Sequence, residues 1–561
     1  MQRLALGYRN QFELSESGNM QATAVPQRFD VVIAHGDLVD GTSPLQHDVD
    51  VGICGDRIVA IAPGGSMDAP VIVQAADRIV CPGFIDVHSH ADYTILLDGR
   101  GQSALMQGVT SIVTGNCGHG IAPVTAHSRK LVSMNIAGWR RESAVPITWK
   151  SFGQYLDLLR ERGVGPNVFP LVAHGTIRLG ISGFRDRQLS EPEVSAARQA
   201  LHDALAAGAV GMSTGLEYAP GISATTDELT RIAEAAADFD VVYATHCRNR
   251  SDRMAEAALE AVAVARAGRM RLQMSHYVRR PYASDEMVSR AWEHLDQASN
   301  DGITVRADVF PFDYGPTPLT ALIPPSMFAD TREEMTRRLR DPAFRKRIVE
   351  GMGGMFKAAV ANNMVESMFV ASDGADGSLT GMSLAEVAKK TGLPVTEAAV
   401  WLLENAGENF PCVYIVENWV RWEDLVGALE DPQFFIMGDG ATSALDGPAS
   451  AFAMALADWG YAPRYLSRFV RDMKLVSIEQ AIERMCAGPA QQFGLTDRGT
   501  VEPGKAADLV VFDARTIGTA VAPQALREMP TGISHVLVNG QFVVRDAKPL
   551  GTLPGHVGVR H

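Results

Sequence analysis

Between residues 82 and 495 short apolar runs alternate with helical patterns, and this alternation constrains the fold more than any other feature of the chain. Strands are expected at "GFIDVHSH", "TSIVTGN", "VFPLVAHG", "VGMSTG", "VVYATH", "RLQMSH", "ITVRADVFPF" and "QFFIMGDG". Helical stretches such as "LSEPEVSAARQALHDALAAG" and "TDELTRIAEAAADFD" lie between many of them. A strand followed by a helix needs a crossover connection, so repeated βα units argue for a parallel sheet. Eight units predict an α/β fold closed as a (β/α)8 TIM-like barrel over residues 82–495. The stretch 313–430 is too long for one unit and contains two helical patterns, so an inserted subdomain is expected between strands seven and eight.

The flanks read differently. Residues 29–81 hold short alternating β segments with Gly and Asp at the turns, and similar text returns in "KAADLVVFDARTI" and "ISHVLVNGQFVVRDAKP". One small β-sandwich domain built from 29–81 and 496–549 is expected. Residues 1–28 lack the apolar core of a secretory signal and read as a flexible N-terminal extension, with Met20 as an alternative start. Residues 550–561 read as a C-terminal tail. A chain of 561 residues needs such a division, because a single core does not grow to that size.

The net charge of −14 argues against broad neutralisation of nucleic-acid phosphates. No apolar run approaches a membrane span. Six cysteines without framework spacing suggest reduced thiols and a cytoplasmic setting.

The chemistry sits where the expected strands end. The first strand ends in His88-Ser89-His90, the second runs into Cys117, two later strands end in His246 and His276, and the last carries Asp439. In a parallel barrel the carboxyl ends of the strands share one face, where the active site is built. An H-x-H pair on a strand projects both imidazoles to one side, because the side-chain period is two. Three kinds of metal ligand thus converge from five strands. His35, His47, His127, His202, His294, His535, His556 and His561 lack this context and read as ordinary surface or hydrogen-bonded residues.

Together "PGFIDVHSHAD", "GVTSIVTGNCGHGIAP", "STGLEYAPG", "ATHCRN", "MSHY" and "AADLVVFD" resemble the amidohydrolase superfamily, and more narrowly its N-acyl-D-amino-acid deacylases, the D-aminoacylases, across most of residues 29–549. Many amidohydrolases bridge two metals with a carboxylated lysine from strand four. This chain has no lysine between Lys150 and Lys346. The deacylase branch uses a cysteine from strand two, which carries over to Cys117. By that resemblance Cys117, His246 and His276 form a tight Zn2+ site, and His88 and His90 serve a second, weaker position shared with Cys117 and Asp439. The resemblance also selects Asp439 over Asp373 of "VASDGAD", and it sets Tyr218 near the substrate.

A zinc-activated water then attacks an amide carbonyl, and Asp439 moves the proton to the leaving nitrogen as general base and acid. The implied partner is a small-molecule N-acyl substrate, with no nucleic acid and no membrane; oligomeric state leaves no mark in the sequence.

The chain departs from its relatives at the substrate's α-carboxylate. Their lysine two positions after the second metal histidine is Val278 here, and "GATSALDGPASAFAMALADWG" after Asp439 lacks their arginine. Arg248 and Arg279 are the candidate replacements. His119, where relatives carry an apolar residue, is given no role. The missing clamp keeps open hydrolysis of another amide, a cyclic amide, an ester or a lactone. A cysteine-nucleophile acyltransferase using Cys117 and His119 would leave four histidines and Asp439 without a task, and a non-catalytic metal binder would do the same for the acid–base group.

Overall fold

The computed structural model describes residues 28–136, 145–281, 283–329, 331–352, 354–361, 364–450 and 453–558. The expected extension over 1–28 lies outside the described residues except for Arg28.

The fold is α/β. Each of the eight expected strands forms, and all their mutual pairings are parallel. Phe84–Asp86, Val109–Thr114 and Asn167–Pro170 make one arc. Val172–Ala173, Gly211–Gly215, Val242–His246, Arg271–Met274, Val305–Val309 and Phe434–Ile436 make another. Leu171 alone separates the third strand's two halves, and its N–H donates to Thr114 C=O at 2.8 Å. At the other seam Asp439 N–H donates to His88 C=O (2.9 Å) and His90 N–H to Gly440 C=O (2.7 Å). The last strand therefore meets the first through the segment that carries the H-x-H pair.

The strands are buried along nearly their whole length, as parallel strands covered by helices are. Those helices carry their own start and stop signals. Glu191–Ala207 begins with a Ser190/Glu193 capping box and a proline in its first turn, and it ends at Gly208 in a left-handed conformation.

The two chain ends build one mixed sheet of nine strands. Its seam is Ile79–Pro82 paired antiparallel with Leu509–Phe512. In hydrogen-bonding terms this is one continuous ladder. Val31, Ile33, Val51, Ile53, Leu509, Val511 and Leu537 share its own apolar core. Only Gly83 separates Pro82 from the first parallel strand, and a Cβ there would lie 2.1 Å from Thr110 Oγ1. Buried Asp508 fastens the sheet to the parallel strands: it pairs with Arg498 and accepts from Asn167 Nδ2 (3.0 Å) and Asn539 N–H (2.7 Å). Residues 550–558, read from sequence as a tail, lie against the third strand, where Val168 N–H donates to His556 C=O and Gly558 N–H to Val168 C=O, each at 2.8 Å.

Between the seventh and eighth parallel strands a separate antiparallel sheet forms from Tyr314–Pro318, Val413–Asn418 and Met368–Asp373. Helices Arg332–Leu339, Pro342–Gly351, Leu384–Thr391 and Val395–Asn405 accompany it. Among the described residues no helix is long and apolar enough to cross a membrane, and all six cysteines are free thiols.

Candidate metal centre and active site

The segment "VTGNCGHG" turns sharply at the end of the second strand. A Cβ on Gly115 would lie 2.3 Å from Leu171 O, and one on Gly118 would lie 2.6 Å from Gly215 N. Only glycine tolerates that approach, and both have positive φ. Asn116 Nδ2 donates to Val113 C=O (3.0 Å) and Val87 C=O (3.3 Å), which fixes the turn. Cys117 itself has φ 53°, His276 has 36° and Asp439 has 49°. A left-handed backbone costs a side-chain-bearing residue about 1–2 kcal/mol. Three such residues in one cluster are the strain expected where side chains are aimed for function rather than stability.

The structure brings five of the six expected ligands into two overlapping triads. His88, Cys117 and His276 form one, and His88, His90 and Asp439 the other; within each, the ligand atoms lie within 4.8 Å of one another. Cys117 Sγ is 3.1 Å from His88 Nε2 and 3.5 Å from His276 Nε2. Asp439 Oδ1 is 3.1 Å from His90 Nε2 and 3.4 Å from His88 Nε2. The grouping differs from the sequence expectation in one respect. His88 joins Cys117 and His276, while the Nε2 of His246 meets Glu217 Oε2 at 2.7 Å.

In the metal-free chain the anionic groups of the site are matched by protonated imidazoles, with the pKa of His88 raised well above its ordinary value by Cys117, Asp439 and Asp308 against the opposing effect of burial. Burial opposes ionisation of the Cys117 thiol, yet His88 and His276 hold it well below the usual thiol range. Burial likewise opposes the Asp439 carboxylate, and His88 and His90 keep it low. Desolvation disfavours a charged His90, but its bond to Asp439 lifts its pKa to about 10. His276, desolvated and facing Arg250, is pushed down to about 4 and stays neutral. The buried Asp308 carboxyl lies 3.4 Å from His88 Nδ1. Zinc bound by Cys and His supplies on the order of 10 kcal/mol. Thiolate, imidazole and carboxylate are the donors zinc prefers, so the set fits that ion.

Several contributors were not found from sequence. Asp308 lies within the seventh strand, one residue before its end, and it accepts from His276 N–H (2.6 Å) and Gln273 Nε2 (2.8 Å). Asp86 accepts from His88 N–H (3.1 Å) and Gly438 N–H (3.0 Å), and burial pushes its carboxyl up to about 7. Arg250 Nη1 meets His276 Nδ1 at 3.0 Å and donates to its C=O at 2.9 Å. Glu217 and Arg250 carried no motif of their own.

The remaining expected residues divide. Tyr218 lies beside the triads: its OH donates to Cys117 C=O at 2.7 Å. His119 stacks on it, ring centroids 4.7 Å apart and 10° from parallel. Arg248 and Arg279 each engage carboxylates of the protein. Arg248 donates to Glu260 through Nε (2.9 Å) and to the carbonyls of Ile222 and Ala224. Arg279 pairs with Asp424 (2.9 Å) and with Asp285. Both guanidiniums are held by carboxylates that the sequence reading had not connected to them. Asp373 ends a strand of the antiparallel sheet and accepts three backbone N–H groups, from Ala375, Gly377 and Leu379.

Comparison with known proteins agrees with this geometry. The amidohydrolase family model matches residues 71–309 and 445–544. An N-acyl-D-glutamate deacylase of Alcaligenes xylosoxydans xylosoxydans is 31% identical over 523 residues, 93% of this chain and 95% of that protein. A D-aminoacylase of the same organism is 28% identical over 95% of this chain and 98% of its own length. The crystal structure of N-acyl-D-glutamate deacylase from Bordetella bronchiseptica, complexed with zinc and a phosphonate mimic of the tetrahedral intermediate, superposes with a TM-score of 0.76. It is 26% identical and covers 95% of this chain and 99% of its own. The chain therefore belongs to the amidohydrolase family and is a metal-dependent hydrolase of C–N bonds other than peptide bonds.

Proposed function

We propose that this chain is a zinc-dependent deacylase of N-acyl-D-amino acids or related N-acyl compounds, its two parallel arcs acting as one (β/α)8 barrel. The observation that carries the reading is the convergence of His88, His90, Cys117, His276 and Asp439 within ligand reach at the carboxyl ends of different strands. The zinc in the Bordetella relative and the substrates named for the Alcaligenes relatives support it.

Cys117 and His276, with His246 as third ligand, would hold the tight zinc; His88, His90, Cys117 and Asp439 would serve a second, weaker position. Zinc held there supplies Lewis acidity, lowering the pKa of a water and polarising the acyl carbonyl. The protein does the rest. Asp439, kept ionised by His88 and His90, accepts the attacking water's proton. It returns that proton to the amide nitrogen, which leaves poorly unless protonated. Tyr218 and His119 form a stacked wall beside the centre against which substrate can lie.

A second reading is favoured by a specific observation. Val278 is buried and Arg248 and Arg279 are committed to carboxylates, so the usual charge for a substrate carboxylate is absent from those positions. A neutral amide, cyclic amide, ester or lactone suits such a site. Zinc-loaded protein assayed on N-acetyl-D-amino acids, their L-enantiomers and the matching C-terminal amides separates the two. Higher kcat/KM on the D-acids supports the first reading, and higher kcat/KM on the uncharged compounds supports the second.

A further inference from the structure

One half-buried carboxylate beside the centre has no part in this scheme. Glu217 Oε2 lies 2.7 Å from His246 Nε2. Its side chain is 19% exposed, and Arg250 Nη2 and Arg280 Nη2 each stand 3.7 Å from the same oxygen. An ionised carboxylate only accepts hydrogen bonds, so the nitrogen facing it must carry a proton. A neutral imidazole has one lone pair, and a carboxylate on one nitrogen leaves the other to bind metal. The neighbouring Tyr218 ties the same loop to the Cys117 carbonyl. Consecutive residues thus anchor the loop to two different ligands of the proposed zinc site.

We propose that Glu217 is a positioning residue that fixes His246 with its proton on Nε2, so that Nδ1 is the nitrogen available to zinc. The inference rests on the zinc site of the preceding reading. It also explains why the Nε2 of His246 stands apart from the two triads, which the Nε2 atoms of His88, His90 and His276 join. Carboxylate or carbonyl partners of ligating histidines are worth about 10–100-fold in metal affinity.

Removing Glu217 also strips a counter-charge from two arginines, so the decisive comparison holds charge constant. Glu217→Gln keeps an acceptor for the His246 N–H, while Glu217→Met is neutral, unbranched and of similar length but accepts nothing. The zinc dissociation constant of each is measured by competition with a fluorescent chelator, with the melting midpoint of the metal-free protein as a control. Glu217→Gln is expected within about threefold of wild type, and Glu217→Met weaker by about 10–100-fold. Equal affinities in the two variants, tight or weak, overturn the positioning role while leaving the zinc site standing. Wild-type protein that binds no zinc overturns both. Should Glu217→Met fail to fold, Glu217→Gln decides alone: a loss of more than tenfold contradicts the proposal, and near-wild-type affinity supports it.

Discussion

Two aspartates in this molecule end strands within almost the same local sequence, "ASDGAD" around Asp373 and "IMGDGAT" around Asp439. Both are buried. Asp373 closes a strand of the antiparallel inserted sheet, and its carboxylate is spent on three backbone N–H groups of its own turn. Asp439 follows the last parallel strand, takes a left-handed backbone, and faces two histidines delivered by the first strand. The local motif sets neither fate. What differs is the neighbouring strand: an antiparallel partner leaves the carboxylate to its own loop, whereas a parallel partner brings other strand ends, with their ligands, to the same place.

The largest effect expected from that contrast is on turnover. Asp439→Ala should lower kcat by about 10²–10⁴-fold, the range of a lost acid–base group, while Asp373→Ala stays within about twofold. The reverse pattern would exchange the two roles. Next comes the thiolate. Cys117→Ala should weaken zinc binding by more than about 100-fold, exceeding the effect of any supporting partner; a competition titration checks it, and unchanged affinity would take Cys117 out of the ligand set.

A smaller effect concerns pH. Metal-free His90 holds its proton up to about pH 10, because Asp439 raises its pKa. Zinc must displace that proton, so affinity at the second position should rise with pH, by about tenfold per unit for each proton released. Titrations at several pH values below 10 measure the slope, and a flat profile would show that His90 is not displaced by metal. The smallest effect is structural. Asp373→Ala removes an acceptor from three N–H groups and should lower the melting temperature by a few degrees with kinetics intact.

Much of the parallel framework was legible in the sequence because it is written locally. Each strand is an apolar run followed by a helical pattern, and the period of two puts His88 and His90 on one side before any tertiary contact is known. The candidate ligands were picked out by residue type and position at a strand end, and five of the six converge in the structure. The partners were not picked out. The ion pairs of Arg248 and Arg279 were not legible, because Glu260 lies one helix further on and Asp424 lies in the insertion. Nothing in "STGLEYAPG" says that Glu217 meets His246, since that depends on how two adjacent strands align their ends. The order of the nine-stranded ladder was not legible, because its seam pairs residues some 430 positions apart, and local alternation specifies a face but not a partner. His119, unexplained in sequence, became intelligible only once the Tyr218 ring was found parallel to it.

Most direct is a chelation experiment on the purified enzyme hydrolysing an N-acyl substrate. The account predicts that activity disappears on removal of metal, returns with added zinc in proportion to zinc bound per chain, and is not restored in the Cys117→Ala variant. Activity that persists through chelation but is abolished by alkylating Cys117 would contradict it, and would make the thiol a nucleophile instead of a ligand.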